Sequence, residues 1–304
     1  MSPIVAPTKL CVYYDDHVIE NTIAFFRYLA ARGERGAITL DLRQTERVTG
    51  AAALMLFAHV NTLQLKHGSR SRVKCLFPDS KANEKGHNDI VKTRLSRALS
   101  SGSVAELEQL VAEGTPFQSS NDPSVHAGRT VKYLTDKLGL KKTDQLVLTL
   151  TAAISEAMLN VIHHAYDFTP SIFTGDLQSR WWQYANFDRK NNRFVFLIYD
   201  LGLGIIKSYG GSTNRHQDDA FVLEEALSFG CSRFSKTQPW RGNGSEDIKH
   251  PVNLGESLFV YCENLRYIYR GDPTSAKIDR TTAKLAGNLI EWTLKIADVQ
   301  KEAS

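Results

Sequence analysis

The segment from Ile154 to Tyr166, I-S-E-A-M-L-N-V-I-H-H-A-Y, sets a carboxylate, a carboxamide and an imidazole four residues apart: Glu156, Asn160 and His164. Residues four apart on an α-helix lie about 40° apart around its axis, so the three side chains form one narrow polar stripe. They offer a proton acceptor, a neutral oxygen ligand and a titratable ring. Ile154, Met158, Val161 and Ala165 fall on the opposite side, and Leu159 and Ile162 widen that apolar surface. The pattern reads either as one wall of a pocket or as an amphipathic helix with a thin solvated edge.

Two later stretches bear on that choice. Strand-like R-F-V-F-L-I-Y (Arg193–Tyr199) runs straight into D-L-G-L-G (Asp200–Gly204), and R-G-N-G-S follows at Arg241–Ser245. Glycines in such turns let the backbone bend sharply and approach a ligand without Cβ clashes. A G-x-G turn before a helix can present N–H groups to phosphate.

An E-x-x-x-N helix, a D-x-G-x-G turn and a later G-x-G turn, in that order, resemble the GHKL ATPase superfamily of gyrase, heat-shock chaperone, histidine kinase and mismatch-repair ATPases. The wording A-I-S-E-A-M-L-N-V-I-H-H-A-Y is most similar to the anti-sigma-factor kinase branch. The resemblance covers Val131 to the C-terminus. It implies an ATP-binding α/β domain in which a mixed sheet is covered by helices. It also implies roles: Asn160 as ligand of the Mg2+ that bridges the phosphates, Glu156 as the base that orients or deprotonates an attacking water, and Asp200 as acceptor for the adenine amine. Gly202 and Gly204 shape the turn beside the base, and Gly242, Gly244 and Ser245 belong to the phosphate loop. Ile206–Trp240 corresponds to the ATP lid, and Arg215, Arg233 and Lys236 there read first as solvated charges. Two departures matter: relatives usually have Leu where Ser245 stands, and Pro251 falls where the following helix should continue; Gly287-Asn288, in place of the frequent Gly-Thr entering the last strand, is a mild change. His164 and Tyr166 match the family wording without a role, and His163 reads as packing or solvated.

The elements that must position these residues are legible in outline. Val125–Leu138 predicts a helix and Gly139–Thr143 a turn; the motif helix starts near Thr143 or Asp144, either of which suits a cap. Arg180–Phe187 and Arg193–Tyr199 predict a hairpin closed by Asp188–Asn192, with Trp181, Trp182 and Tyr184 as sheet packing. Ser257–Asn264 and Arg266–Arg270 predict another hairpin. Asn288–Ile296 alternates, with Ile290, Trp292, Leu294 and Ile296 facing inward, and the tail from Ala297 reads as frayed.

The N-terminal third alternates strand and helix: strands at Lys9–Tyr14, Ala37–Leu42 and Val73–Phe77, helices at Ile19–Arg32 and Gly50–Lys66. That order implies parallel pairing through crossovers. It resembles a STAS domain, the fold of anti-sigma-factor antagonists, over roughly residues 8–112. There, a strand ending in D-L precedes a helix that opens with a phosphoacceptor Ser. Here Asp41-Leu42 is followed by Gly50 and Ala51 at that position, with only Thr49 nearby, which argues against a phosphorylation switch unless Thr49 substitutes. Asp79–Gly86 reads as a loop, Asp89–Leu99 and Val104–Ala112 as helices, and Gly114–Ser124 as a linker. The expected layout is an α/β interaction domain at 1–115, a linker at 116–124 and the ATP-binding domain at 125–304.

The 304 residues, 42% of them hydrophobic, fit two globular domains. A net charge of +4 makes no strong case for nucleic acid. Cys11, Cys75, Cys231 and Cys262 are scattered without zinc spacing, as reduced thiols in a cytoplasmic protein would be. The N-terminus lacks the apolar run of a signal peptide, and no eighteen continuous apolar residues occur, so no membrane span is expected. The expected function is Mg-ATP hydrolysis, with lid closure acting on a regulatory protein partner or the N-terminal domain. A serine/threonine kinase and a non-hydrolysing ATP-gated module stay open, as does pairing of two copies, since relatives often dimerise.

Overall fold

The computed structural model describes residues 2–166, 174–210, 218–228, 244–253, 256–272, 274 and 276–296. It is an α/β protein with several sheets, and it divides into two compact units. The first comprises Met1–Asn121, Ser171–Tyr184 and Thr281–Leu285; the second comprises Asp122–Pro170, Ala185–Arg280 and Ala286–Ser304.

The first unit begins with β1 (Ile4–Val5), β2 (Lys9–Leu10), α1 (Asp16–Arg35), β3 (Ile38–Asp41), β4 (Arg47–Val48), α2 (Gly50–Lys66) and β5 (Val73–Leu76). All its pairings among these strands are parallel, as the alternation requires: β1-β3-β5 form one sheet and β2-β4 a second. The strand expected at Lys9–Tyr14 shrinks to Lys9–Leu10. Its place beside β3 is taken by Ile4–Val5, because Pro7 interrupts the segment and frees the two halves to pair separately. Asp15 caps α1, its carboxylate accepting from His17 N at 3.1 Å, and Ile19, Ile23, Phe26 and Leu29 bury one face.

Helix α2 is apolar nearly all round and is buried nearly all round, from Ala51 through Val60 to Leu63. Its interior polar groups are bonded. Asn61 Nδ2 donates to Ser101 O at 2.9 Å, Asn61 Oδ1 accepts from Trp182 Nε1 at 3.0 Å, and Gln64 Nε2 donates to Leu99 O at 3.0 Å. Gly50 opens α2 with the Tyr184 ring against it, 3.1 Å from where a Cβ would stand. Thr49, the N-cap, makes no capping bond, and its Oγ1 is buried.

α3 (Glu84–His87) starts inside the segment read as a loop, nucleated by Asn83 Oδ1 accepting from Gly86 N at 3.0 Å. The helix expected at Asp89–Leu99 is broken into a π turn, Asn88–Lys92, and α4 (Leu95–Leu99), because Arg94 between them sits at φ 66°. α5 is Val104–Ala112, as expected. The division between the units, after Asn121, falls inside the segment read as a linker, but part of that segment is a strand: β6 (Phe117–Ser120) pairs antiparallel with the first half of β7 (Trp181–Asp188), Phe117 opposite Tyr184 and Ser120 opposite Trp181.

The second unit contains α6 (Pro123–Leu138), α7 (Gln145–Asn160), β8 (Arg193–Asp200), α8 (Ile205–Gly210), α9 (Asp219–Ala226) and α10 (Gly244–Lys249), then β9 (Ser257–Cys262), β10 (Leu265–Tyr269), β11 (Lys277–Arg280) and β12 (Asn288–Lys295). Within this unit the strand order is β11-β10-β9-β12-β8, followed by the second half of β7. Every pairing described in it is antiparallel, where the resemblance implied a mixed sheet. Parallel pairing belongs to the first unit.

Both expected hairpins form. The carboxylate of Asp188 accepts from Lys190 N at 3.0 Å and from the Asn191 side chain at 2.6 Å in the β7–β8 turn, and Glu263 takes φ 51° between β9 and β10. Ile290, Trp292, Leu294 and Ile296 are buried as expected, and so are Trp181, Trp182 and Tyr184. The tail from Ala297 and the basic lid residues Arg215, Arg233 and Lys236 lie outside the described residues.

Candidate functional site

Helix α7 carries the polar stripe. Asp144 is its N-cap, but the carboxylate turns back to accept from Lys141 N at 2.8 Å instead of capping the first turn. Val147, Leu150, Ala153, Ile154, Ala157 and Met158 bury one face, while Glu156, Asn160 and His164 are half-buried. Leu159 does not widen the apolar face; it is exposed, as is His163. Beyond Asn160 the helix loosens into a π turn, Val161–Ala165, so His164 leaves the α-helical register of Glu156 and Asn160. With that turn the helix is long and apolar enough, by length and composition, to cross a membrane. Its buried face and its packing against α6 and α10 make it a core helix of its unit.

The π turn delivers the end of α7 to the D-x-G-x-G turn. Leu203 N donates to Ala165 O at 2.7 Å, and Leu201 N donates to the Tyr166 hydroxyl oxygen at 3.2 Å. The approach is close enough to demand glycine: a Cβ on Gly202 would stand 2.2 Å from Ala165 O. Gly204 sits at φ 88°, a left-handed conformation that side chains resist. We expect Gly202→Ala to push the two segments apart and to lower the melting temperature by several degrees, equivalent to about 1–3 kcal/mol. Gly128→Ala in α6, where nothing lies within 4 Å of the new methyl, is the control and should be neutral or stabilising. Thermal denaturation of both variants checks this.

Asp200 closes β8 and is 4% exposed. Its Oδ1 accepts from Gly202 N at 2.8 Å and its Oδ2 from Asn288 Nδ2 at 3.1 Å. Burial pushes this carboxyl up from an ordinary 3.8 to about 6, against the pull of those two donors and of the Asn288 backbone N–H. Asn288 stands directly opposite Asp200 on β12, and its Oδ1 accepts from Ile205 N at 2.8 Å, the first amide of α8. Gly287 precedes it at φ 74°, where a Cβ would meet Asp200 O at 1.9 Å. Tyr199 ties the same strand end down through its hydroxyl, which donates to Ala286 O at 2.8 Å.

The sequence therefore undervalued three residues. Gly287 and Asn288 looked like a mild variant of a strand entry, yet one permits the close pass and the other holds the carboxylate. Tyr166 had no role, and here it anchors the turn. The signal available was a glycine immediately before a cleanly alternating strand.

The third motif is seen in part. Gly242 lies outside the described residues, while Gly244 and Ser245 open α10, which ends at Lys249 before Pro251 as that proline requires. α10 packs against α7, and Ile248 O accepts from Trp292 Nε1 at 2.7 Å. Among the described residues, no three His, Cys, Asp or Glu side chains are grouped to hold a metal.

The chain matches no protein-family model, no curated protein and no solved structure.

Proposed function

We propose that the second unit is an ATP-binding module of the GHKL type that hydrolyses Mg-ATP. One observation carries the reading: the end of the E-x-x-x-N helix and the D-x-G-x-G turn, distant in sequence, are bonded to each other through Leu203 N and Ala165 O. A fortuitous motif pair has no reason to converge.

The donor set fits the group. Asp200 offers a buried carboxylate that accepts from Gly202 N, from the Asn288 side chain and from the Asn288 backbone, three of about four lone-pair sites, so it can still accept from an exocyclic amine. Asn160 offers one neutral oxygen to a cation that keeps several waters and otherwise takes phosphate oxygens, which suits Mg2+ and needs no acidic cage. Bound Mg-ATP supplies a phosphoryl group activated for transfer. Asn160 would hold the metal end, Asp200 would orient the base end, and Glu156, one turn before Asn160 on the same face, would take a proton from the attacking water. Gly244 and Ser245, with Gly242, belong to the phosphate loop.

The first unit serves as the contact for a regulatory protein partner. Its fold follows the parallel order expected of a STAS-like domain, and the buried Thr49 hydroxyl argues for a constitutive contact without phosphorylation. Cys11, Cys75 and Cys262 are unpaired, in keeping with a reducing, cytoplasmic setting.

The test is nucleotide titration with and without Mg2+. Wild-type protein should bind Mg-ATP more tightly than ATP in EDTA, and Asn160→Ala should erase that difference, about tenfold or more. An unchanged metal dependence in the variant would remove Asn160 from the site.

A further inference from the structure

Helix α7 carries an apolar ridge where its solvent face should be. Val147, Leu150, Ala153, Ile154, Ala157 and Met158 are buried, and at about 100° per residue Leu148, Ala152, Ser155 and Leu159 stand on the opposite side. Leu148 is 51% exposed and Leu159 37%, Ala152 is exposed and Ser155 half-buried. Glu156 is the single charged residue among the sixteen of α7, and it lies with Asn160 on the flank of this ridge. A helix that is apolar all round is ordinarily covered all round, as α2 is in the first unit. α7 buries one face, and among the described residues its ridge is left to solvent.

The spacing of the ridge says what covers it. Leu-x3-Ala-x2-Ser-x3-Leu has the same form in both directions, a leucine at each end and two small residues at the centre. A two-fold axis level with the Ala153–Ile154 peptide sets Leu148 of each copy on Leu159 of the other, and Ala152 on Ser155. That is the mutual contact an isologous interface requires. The small central pair lets the two helices approach closely, and the leucines, about 16.5 Å apart along each helix, close the ends. Charge agrees with this arrangement. A two-fold axis places each ridge against itself, so a charged ridge would repel its copy, and these four residues carry no charge. The exposed Lys141 and Lys142, just ahead of α7, come level with the C-terminal end of the other copy's helix, where the backbone dipole favours cations. We propose that this ridge is the interface between two copies of the chain, packed as an antiparallel pair of α7 helices. The proposal does not depend on the nucleotide reading. Contact over three turns of one helix is at the small end of specific interfaces, so the pairing should be reversible and depend on concentration.

The test is sedimentation equilibrium of the whole chain from about 1 to 100 µM. Wild type should rise with concentration from the 34.0 kDa of one chain towards twice that mass. Leu148→Glu and Leu159→Lys each set a charge against an apolar side chain and should weaken association about tenfold or more. The double variant Leu148→Glu/Leu159→Lys sets Glu against Lys at both contacts and should recover most of that loss. Within one chain the two positions are three turns apart, too far to pair with each other. Both lie on the exposed side, and melting curves report whether each variant is folded; Leu148→Ser and Leu159→Ser replace any that is not. A wild type that stays at 34.0 kDa throughout would overturn the proposal and leave the ridge to another protein. Folded single variants that associate like wild type would also overturn it, by moving the interface elsewhere. A folded double variant no better than the singles would exclude the antiparallel pairing.

Discussion

Asp200→Asn should reduce ATP affinity at least about a hundredfold while leaving the fold intact. The substitution keeps the size of the side chain and removes its charge. Asparagine has one oxygen where aspartate has two, so it can accept from Gly202 N or from Asn288 Nδ2, not from both. It also turns an amine toward groups that are themselves donors. The base-reading acceptor is lost, which is the source of the large effect.

Stability moves the other way. A carboxyl whose folded value, about 6, lies above its ordinary 3.8 binds protons more tightly folded than unfolded. Its contribution to stability is therefore greatest below about pH 4, declines as pH rises through 6, and at pH 7 is a desolvation cost that its hydrogen-bond donors only partly offset. Removing the charge offsets the lost hydrogen bond, and the melting temperature at pH 7 should stay within about 4 °C of wild type. The same value gives a pH signature. Wild-type affinity for ATP should fall as pH drops through 6, more steeply than the affinity of Asp200→Asn, which shares the titration of the phosphates but lacks this carboxylate. Titrations at pH 5 to 8, with melting curves alongside, check all three statements; a variant that binds like wild type would dismiss Asp200 as the base reader.

The second large effect falls on turnover. Glu156→Ala should lower ADP release by about 10²–10⁴-fold, the usual worth of a positioned general base, with ATP affinity changed little. Glu156 and Asn160 sit four residues apart before the π turn begins, so truncating one leaves the other's helix in register. Coupled-assay kinetics and binding, measured on the same preparations, separate the alternatives. Loss of turnover with binding retained identifies a hydrolase. Bound ATP without turnover in either protein points to a kinase that requires its Ser- or Thr-bearing partner, or to an ATP-gated module. If Glu156→Ala turns over like wild type, Glu156 is not the base.

How much was readable in advance depended on whether a segment's role is local. α2 and α5 begin and end where the apolar pattern says, and the β7–β8 hairpin follows from the Asp and Asn content of its turn. β6 was misread because Gln118, Ser119 and Ser120 look like linker. Those polar side chains are buried and satisfied from a distance: Ser119 Oγ donates to Trp181 O at 2.7 Å, and Gln118 Oε1 accepts from Gln183 Nε2 at 3.3 Å. Nothing within the segment announces Trp181. β11, K-I-D-R, is a short charged edge strand, the kind that carries little apolar signal because its charges guard the edge.

The site shows the same division. Glu156, Asn160, Asp200, Gly202 and Gly204 were singled out as candidates because each belongs to a motif local to one helix or one turn, and the structure brings the end of that helix to that turn. Gly287 and Asn288 belong to no local motif: one permits the close pass to Asp200 and the other bonds its carboxylate across the sheet, and that pairing appears when β8 and β12 are laid side by side.

The most direct test of the central claim is a calorimetric titration of the wild-type chain with Mg-ATP, set against Mg-GTP under the same conditions. Saturable binding of Mg-ATP to one site per chain, with Mg-GTP bound at least tenfold more weakly, is the result predicted if the buried Asp200 carboxylate accepts from the adenine amine. No heat of binding with Mg-ATP, or equal affinity for the two nucleotides, would contradict it.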